Sequence, residues 1–196
     1  MSADTATRHS LKERLWLVLG LVAIFVVTAL LMRMLGRLWI CACGTVRFWV
    51  NNTCSSDNSQ HLLDPYAFTH VLHGFAFYWL VSLILPRLKT NWQLLIAIAL
   101  EAAWEVFENT NFVIDRYRSV TAALGYTGDT VVNSLGDILC CLIGFLIAQR
   151  LGFRRAVIAF LALELVLLLW IRDSLLLEIV MLTFPIEAIK AWQLCP

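Results

Sequence analysis

Charge is what this sequence has least of. Of its 196 residues only 15% are Asp, Glu, Lys or Arg, against roughly a quarter in a soluble domain. Sixty per cent are apolar, and the mean hydropathy is +0.77. The shortage excludes an ordinary soluble surface and a disordered chain. The 15 basic and 14 acidic residues nearly cancel, net +1, so there is no basic field to hold nucleic acid. An internal repeat is also missing, as is any Pro/Gly/Ser linker, which makes residues 1–196 a single integral-membrane domain.

What the chain has instead is long apolar runs. About 20 such residues make a spanning helix, because lipid offers backbone polar groups no partner. Segments 15–32, 66–85, 92–108, 129–149 and 156–171 fit this pattern. A sixth, 174–188, is short and interrupted by Glu178 and Pro185; it spans, re-enters or lies on the surface. The first follows Arg8, Lys12 and Arg14 as a signal peptide would, but its apolar run exceeds the roughly 7–15 residues of that class. The expected fold is all-α, a polytopic membrane bundle of five to six transmembrane helices with a long outer loop after the first.

Lys and Arg bias orients such a bundle. With the N-terminus in the cytoplasm, Arg8, Lys12, Arg14, Arg87, Lys89, Arg150, Arg154, Arg155 and Lys190 lie inside, nine in all. Arg33, Arg37, Arg47, Arg116, Arg118 and Arg172 lie outside, six in all. The long polar connections 33–65 and 109–128 then face outward. The first holds Cys41, Cys43 and Cys54; an oxidising compartment would permit one disulfide, Cys41 or Cys43 with Cys54, and three cysteines leave one over, so spacing does not fix the pairing.

Ionisable groups within spans are costly, so their spacing is informative. His70 and His73 share one helical face. Glu101, Glu105 and Glu108 form a stripe at i, i+4 and i+7, and Asp129, Asn133 and Asp137 another at i, i+4 and i+8. At 1.5 Å per residue each stripe covers roughly 10–12 Å, and all three fall in the outer halves of their helices. One cavity open to the outer surface is expected, with a buried structural network as the alternative. Asp129 doubles as a candidate helix cap. Glu164 and Glu178 read as packing groups, and Cys140 and Cys141 lie in an apolar run.

The chemistry available is acid–base. His70, His73, Glu101, Glu105 and Asp137 are the candidate catalytic groups. A His polarised by a carboxylate serves as a base, and a carboxyl in an apolar pocket serves as an acid. His70, His73 and Glu105 could hold a divalent metal with an open position, although no HExxH pattern is present. Glu108, Asn109, Asp129 and Asn133 are candidate substrate contacts. Arg116 and Arg118 join them as a phosphate fork at the cavity mouth, or else snorkel to the interface.

Several stretches resemble a small bacterial integral-membrane family classed as of unknown function: CACG at 41–44, SSDNSQHLLD at 55–64, THVLHGF at 69–75, WEVFEN at 104–109 and GDTVVNSLGD at 128–137. They cover about residues 36–150. A more distant resemblance is to VanZ-like membrane proteins. Their His, acidic residue and D-xxx-N-xx-G pattern look like His73, Glu101 or Glu105, and Asp129, Asn133 and Gly136. That resemblance implies a cell-envelope setting and no reaction. The leading expectation is an inner-membrane enzyme whose site faces the periplasm and acts on a lipid or lipid-linked headgroup, by hydrolysis or group transfer. A non-catalytic lipid-binding or assembly protein is the alternative, and an ion- or proton-coupled carrier the third.

Overall fold

The computed structural model describes residues 3–121 and 125–194, with side chains from residue 11 onward. Among the described residues there are eight helices and no strand: α1 (Ala3–Met34), α2 (Ala67–Ile84), α3 (Thr90–Glu108), α4 (Asn111–Val120), α5 (Val131–Leu151), α6 (Phe153–Ile171), α7 (Leu175–Thr183) and α8 (Glu187–Gln193). Three of them, α1 from Leu11, α2 and α5, are long and apolar enough to cross a membrane. Helices α3 and α6 have similar length, 19 residues each, but each carries three ionisable residues.

Helices α2 and α5 form the central pair, with α3 and α1 packed on one side and α6 on the other. Two glycines let the pair close. A Cβ on Gly74 would meet the Cys141 carbonyl oxygen at 2.2 Å, and one on Gly144 would meet that of Val71 at 2.0 Å. Small residues are how helices approach when lipid supplies no hydrophobic drive between them. Around this crossing Val81, Ile98, Ile138 and Phe145 bury one apolar cluster, and Leu72, Phe75, Phe160 and Leu167 another. Outward, α1 and α6 expose rows of Leu, Val and Ile, a belt suited to lipid.

The ends of the bundle differ. At one end Lys89 pairs with Glu13, which joins the start of α1 to the turn between α2 and α3. At the other, the long first connection folds back on itself, with Val50 N–H donating to Leu63 O and Leu62 N–H to Arg47 O. It then seats on the start of α5. A helix begins with four backbone N–H groups that lack intrahelical partners, and here the loop supplies acceptors: Thr130 N–H bonds Ser59 O, Val131 N–H bonds Leu38 O, and Val132 N–H bonds Trp39 O. Trp49 stacks on Trp170 at the end of α6.

The structure corrects three expectations here and narrows a fourth that the sequence left open. Cys41 pairs with Cys43, at a Cα separation of 5.1 Å, and not with Cys54. A turn closed by Gly44 N–H to Cys41 O, with Gly44 at φ +77°, brings the two together. The second connection is not plain loop, since it contains α4; its residues 122–124 lie outside the described residues. Segment 174–188 breaks between α7 and α8 and stays at the loop end, where Arg116 donates to Leu182 O and Arg172 to Trp192 O. Lys190 donates to Ser119 O in α4, so it lies at the same end as Arg116 and Arg118, and the division of the basic residues becomes eight against seven.

Candidate functional site

The three polar stripes meet beneath the folded loop, around a cavity of about 860 Å³. Its wall includes His70 and His73 from α2, Trp104 and Glu108 from α3, and Asn133 and Asp137 from α5, with Asp129 just before α5. The periodicity of α2, α3 and α5 explains the meeting, because each helix turns its only polar face toward the other two.

At the deep end both imidazoles lean on one carboxylate. His70 Nδ1 is 2.6 Å from Glu101 Oε1, and His73 Nδ1 is 2.9 Å from Glu101 Oε2. Glu105 Oε1 stands 3.2 Å from His70 Nδ1 without hydrogen-bond alignment, and Asp137 Oδ2 is 4.0 Å from His70 Nε2. Glu101 and Glu105 are fully buried behind the histidines and do not line the cavity. A buried charge with no partner is expensive; the two imidazoles answer Glu101, whereas the Glu105 oxygens and Asp137 Oδ1 have no hydrogen-bond partner.

Nearer the loop, Asn109 and Asp129 clamp each other. Asn109 Nδ2 donates to Asp129 Oδ2 at 2.6 Å, and Asp129 N–H donates to Asn109 Oδ1 at 2.7 Å. Tyr126 donates to Asp129 Oδ1 at 2.9 Å. Burial nevertheless raises the Asp129 carboxyl above the ordinary range, against these hydrogen bonds. Asp129 is not the cap of α5: Thr130 Oγ1 accepts from Asn133 N–H. Asn109 is fully buried and supports Asp129 from behind.

The two outer arginines are not at the mouth. Arg116 gives both Nε and an Nη to Leu182 O, and Arg118 donates to Tyr126 O and stands 3.7 Å from Asp115. Neither lines the cavity.

Two groups of ligand atoms within 4.8 Å could hold a metal here: His70, His73 and Glu101, and His70, Glu105 and Glu108. His73 and Glu105, placed together in the sequence reading, fall in different groups. Away from the cavity Cys41, Cys43 and His61 also converge, but the two sulfurs are bonded to each other and offer no thiolate to a metal.

Sequence reasoning missed part of the wall. Asp64, Tyr66, Tyr126, Asp173 and Glu178 all line the cavity. Asp64 accepts from Ser59 N–H at 2.8 Å and Tyr66 N–H at 2.9 Å, while burial pushes its carboxyl up. Tyr66 donates to Asp173 at 3.3 Å. The SSDNSQHLLD stretch signalled Asp64, but nothing in the spacing signalled Asp173 or Glu178, because α7 reaches the cavity only through tertiary folding. Glu164 accepts from Leu176 N–H at 3.3 Å and so fixes the start of α7.

A model of the family described as "Protein of unknown function (DUF2585)" matches residues 31–195. The chain is similar to a UPF0314 protein of Rhizobium meliloti, 44% identical over 93% of this chain and 92% of that one. It is similar also to a UPF0314 protein of Sinorhizobium fredii, 45% identical over 98% of each, and to one of Paracoccus denitrificans, 44% identical over 87% and 88%. No solved structure matches it.

Proposed function

We propose, from the premise that the chain belongs to the DUF2585 family, that it is a multi-pass enzyme of the bacterial inner membrane. It acts on a lipid or lipid-linked headgroup at the outer leaflet, by hydrolysis or group transfer. The observation that carries this reading is His73 on the cavity wall with Glu101 behind it, 2.9 Å from Nδ1. An ionised carboxylate only accepts, so His73 donates from Nδ1 and keeps a lone pair on Nε2 for a proton from water or a hydroxyl. A carboxylate that fixes the tautomer and steadies the imidazolium is the support a general base needs. A divalent ion on His70, His73 and Glu101 would serve the same end by activating water.

Five spans, α1, α2, α3, α5 and α6, fit this setting, with the N-terminus cytoplasmic and the cavity toward the periplasm. The turns around Arg87–Lys89 and Arg150–Arg155 are the shortest and carry five of the basic residues, which favours that end as cytoplasmic. The distant likeness of His73, Glu101 and the 129–136 stretch to VanZ-like proteins supports the envelope setting.

The test is complementation of a deletion strain, read by its lipid and glycolipid profile. Wild type should restore the profile. His73→Ala should fail to, with turnover lower by about 10²–10⁴, the usual share of a general base. Full restoration by His73→Ala overturns the catalytic reading. A second reading, a non-catalytic lipid-binding or assembly protein, draws on His70, which is held among Glu101, Glu105 and Asp137 as a structural ion network would be. A stable lipid complex that survives His73→Ala without turnover would favour it.

A further inference from the structure

The cavity wall is one-sided in charge. Asp64, Glu108, Asp129, Asp137, Asp173 and Glu178 all line it. Among the described residues Arg172 is the one arginine or lysine that lines it, and its guanidinium donates to Trp192 O. His70 and His73 are the other groups able to carry positive charge, and Glu101 engages both. Arg116 and Arg118 are committed to backbone carbonyls elsewhere. A phosphate would enter this space against a field of carboxyl groups, with Arg172 the one guanidinium or ammonium among the described lining residues to meet it.

Two further observations point to a guest. Asp137 Oδ1 and Asn133 Nδ2 have no hydrogen-bond partner, although their residues are only 5% and 2% exposed and both line the cavity. Such groups are costly to bury unpaired. The wall also includes aromatic rings, among them Trp104, Tyr66 and Trp170, a side-chain type whose ring quadrupole attracts cations. The volume of about 860 Å³ suits an organic group, since ligand sites commonly span 300–1,000 Å³, and is far larger than a bare ion needs.

We propose that the headgroup this cavity takes is cationic, an ammonium group, with Asp137 as its first counter-charge and Glu108 as its second. The proposal rests on the reading of the cavity as a lipid-headgroup site and names its substrate class. An ammonium placed there would lie beside the Asp137 and Glu108 side chains on the wall, give the carboxyl groups around it a counter-charge, and lie near the aromatic rings.

The test uses the full chain in nanodiscs and four probes: dodecylammonium, dodecyl phosphate, dodecyl glucoside and butylammonium. Binding is read by thermal shift and native mass spectrometry. Dodecylammonium should bind at least tenfold more tightly than dodecyl phosphate, and Asp137→Asn or Glu108→Gln should weaken it at least tenfold. Butylammonium binding as tightly as dodecylammonium keeps the cationic class but assigns it to a soluble amine, which removes the lipid reading alone. Dodecyl phosphate or dodecyl glucoside binding in preference overturns the cationic class and leaves the lipid site standing. Dodecylammonium binding that neither variant weakens overturns the assigned counter-charges. No binding by any probe overturns both readings.

Discussion

Asp173 shows how one residue ties the C-terminal segment to the cavity. Its carboxylate accepts from Ser174 N–H at 2.9 Å and from the Tyr66 hydroxyl at 3.3 Å. Burial, only partly offset by these bonds, pushes its carboxyl up to about 7. An unfolded Asp loses its proton near 3.9, so between about 4 and 7 the folded state keeps a proton the unfolded state has lost. Stability from this group is therefore greatest at low pH and falls as pH rises to about 7. Asp64 and Asp129 are raised for the same reason and slope the same way, so the difference between two proteins isolates Asp173. Melting temperature in detergent, followed from pH 5 to 8, should fall more steeply for wild type than for Asp173→Asn; equal slopes would show that Asp173 titrates no differently on folding. Ser59 belongs to the same rim. It is a non-glycine residue at φ +62°, a conformation that costs of order 1 kcal/mol, and it is held by Asp64 on its N–H and by Thr130 on its carbonyl.

Elements meet here through close backbone approach more than through side-chain volume. Gly136 sits where the first loop crosses α5: a Cβ there would meet the Leu62 carbonyl oxygen at 2.2 Å. Backbone cannot yield as a flexible side chain can, so Gly136→Ala should displace the loop and cost about 1–3 kcal/mol. Gly74→Ala should act likewise on the α2–α5 crossing. The two are separable, because Gly136→Ala should expose the loop to protease while leaving the helices protected, whereas Gly74→Ala should lower the melting temperature of the whole bundle. A native proteolysis pattern for Gly136→Ala would show that the loop is not seated as described. The polar stripes of α2, α3 and α5 were legible in the sequence because helical period alone puts His70 with His73, Glu101 with Glu105, and Asn133 with Asp137 on single faces. The division of labour within them was not. Spacing cannot tell that Glu101 stands behind the histidines while Glu108 faces the cavity, nor that Thr130 caps α5 in place of Asp129. The CxC pair was equally opaque, since its turn depends on the Gly44 backbone and not on cysteine spacing.

At the scale of the whole molecule the question is where the chain ends up after α6. Helices α7 and α8 have 9 and 7 residues, roughly 14 and 11 Å at 1.5 Å per residue, too short to cross a hydrocarbon core of about 30 Å. They are also tied to the loop end of the bundle, α7 by Arg116 and α8 by Lys190, each reaching from or to α4 or its neighbours, and Arg172 at the end of α6 holds Trp192. The start of α1 is tied to the opposite end by Glu13 and Lys89. On the five-span reading proposed above, the two ends of the described chain fall on opposite sides of the membrane. Green fluorescent protein fused before α1 should fluoresce and the same protein fused after Leu194 should stay dark, with alkaline phosphatase after Leu194 active. A fluorescent fusion after Leu194 would mean an even number of crossings, and would detach Asp173 and Glu178 from the cavity they line. The hydropathy of residues 174–188 permitted either result, since Glu178 and Pro185 interrupt a span without forbidding one. What decides it is the set of arginine and lysine bonds to backbone carbonyls, contacts between segments about 20 to 70 residues apart that no local pattern encodes.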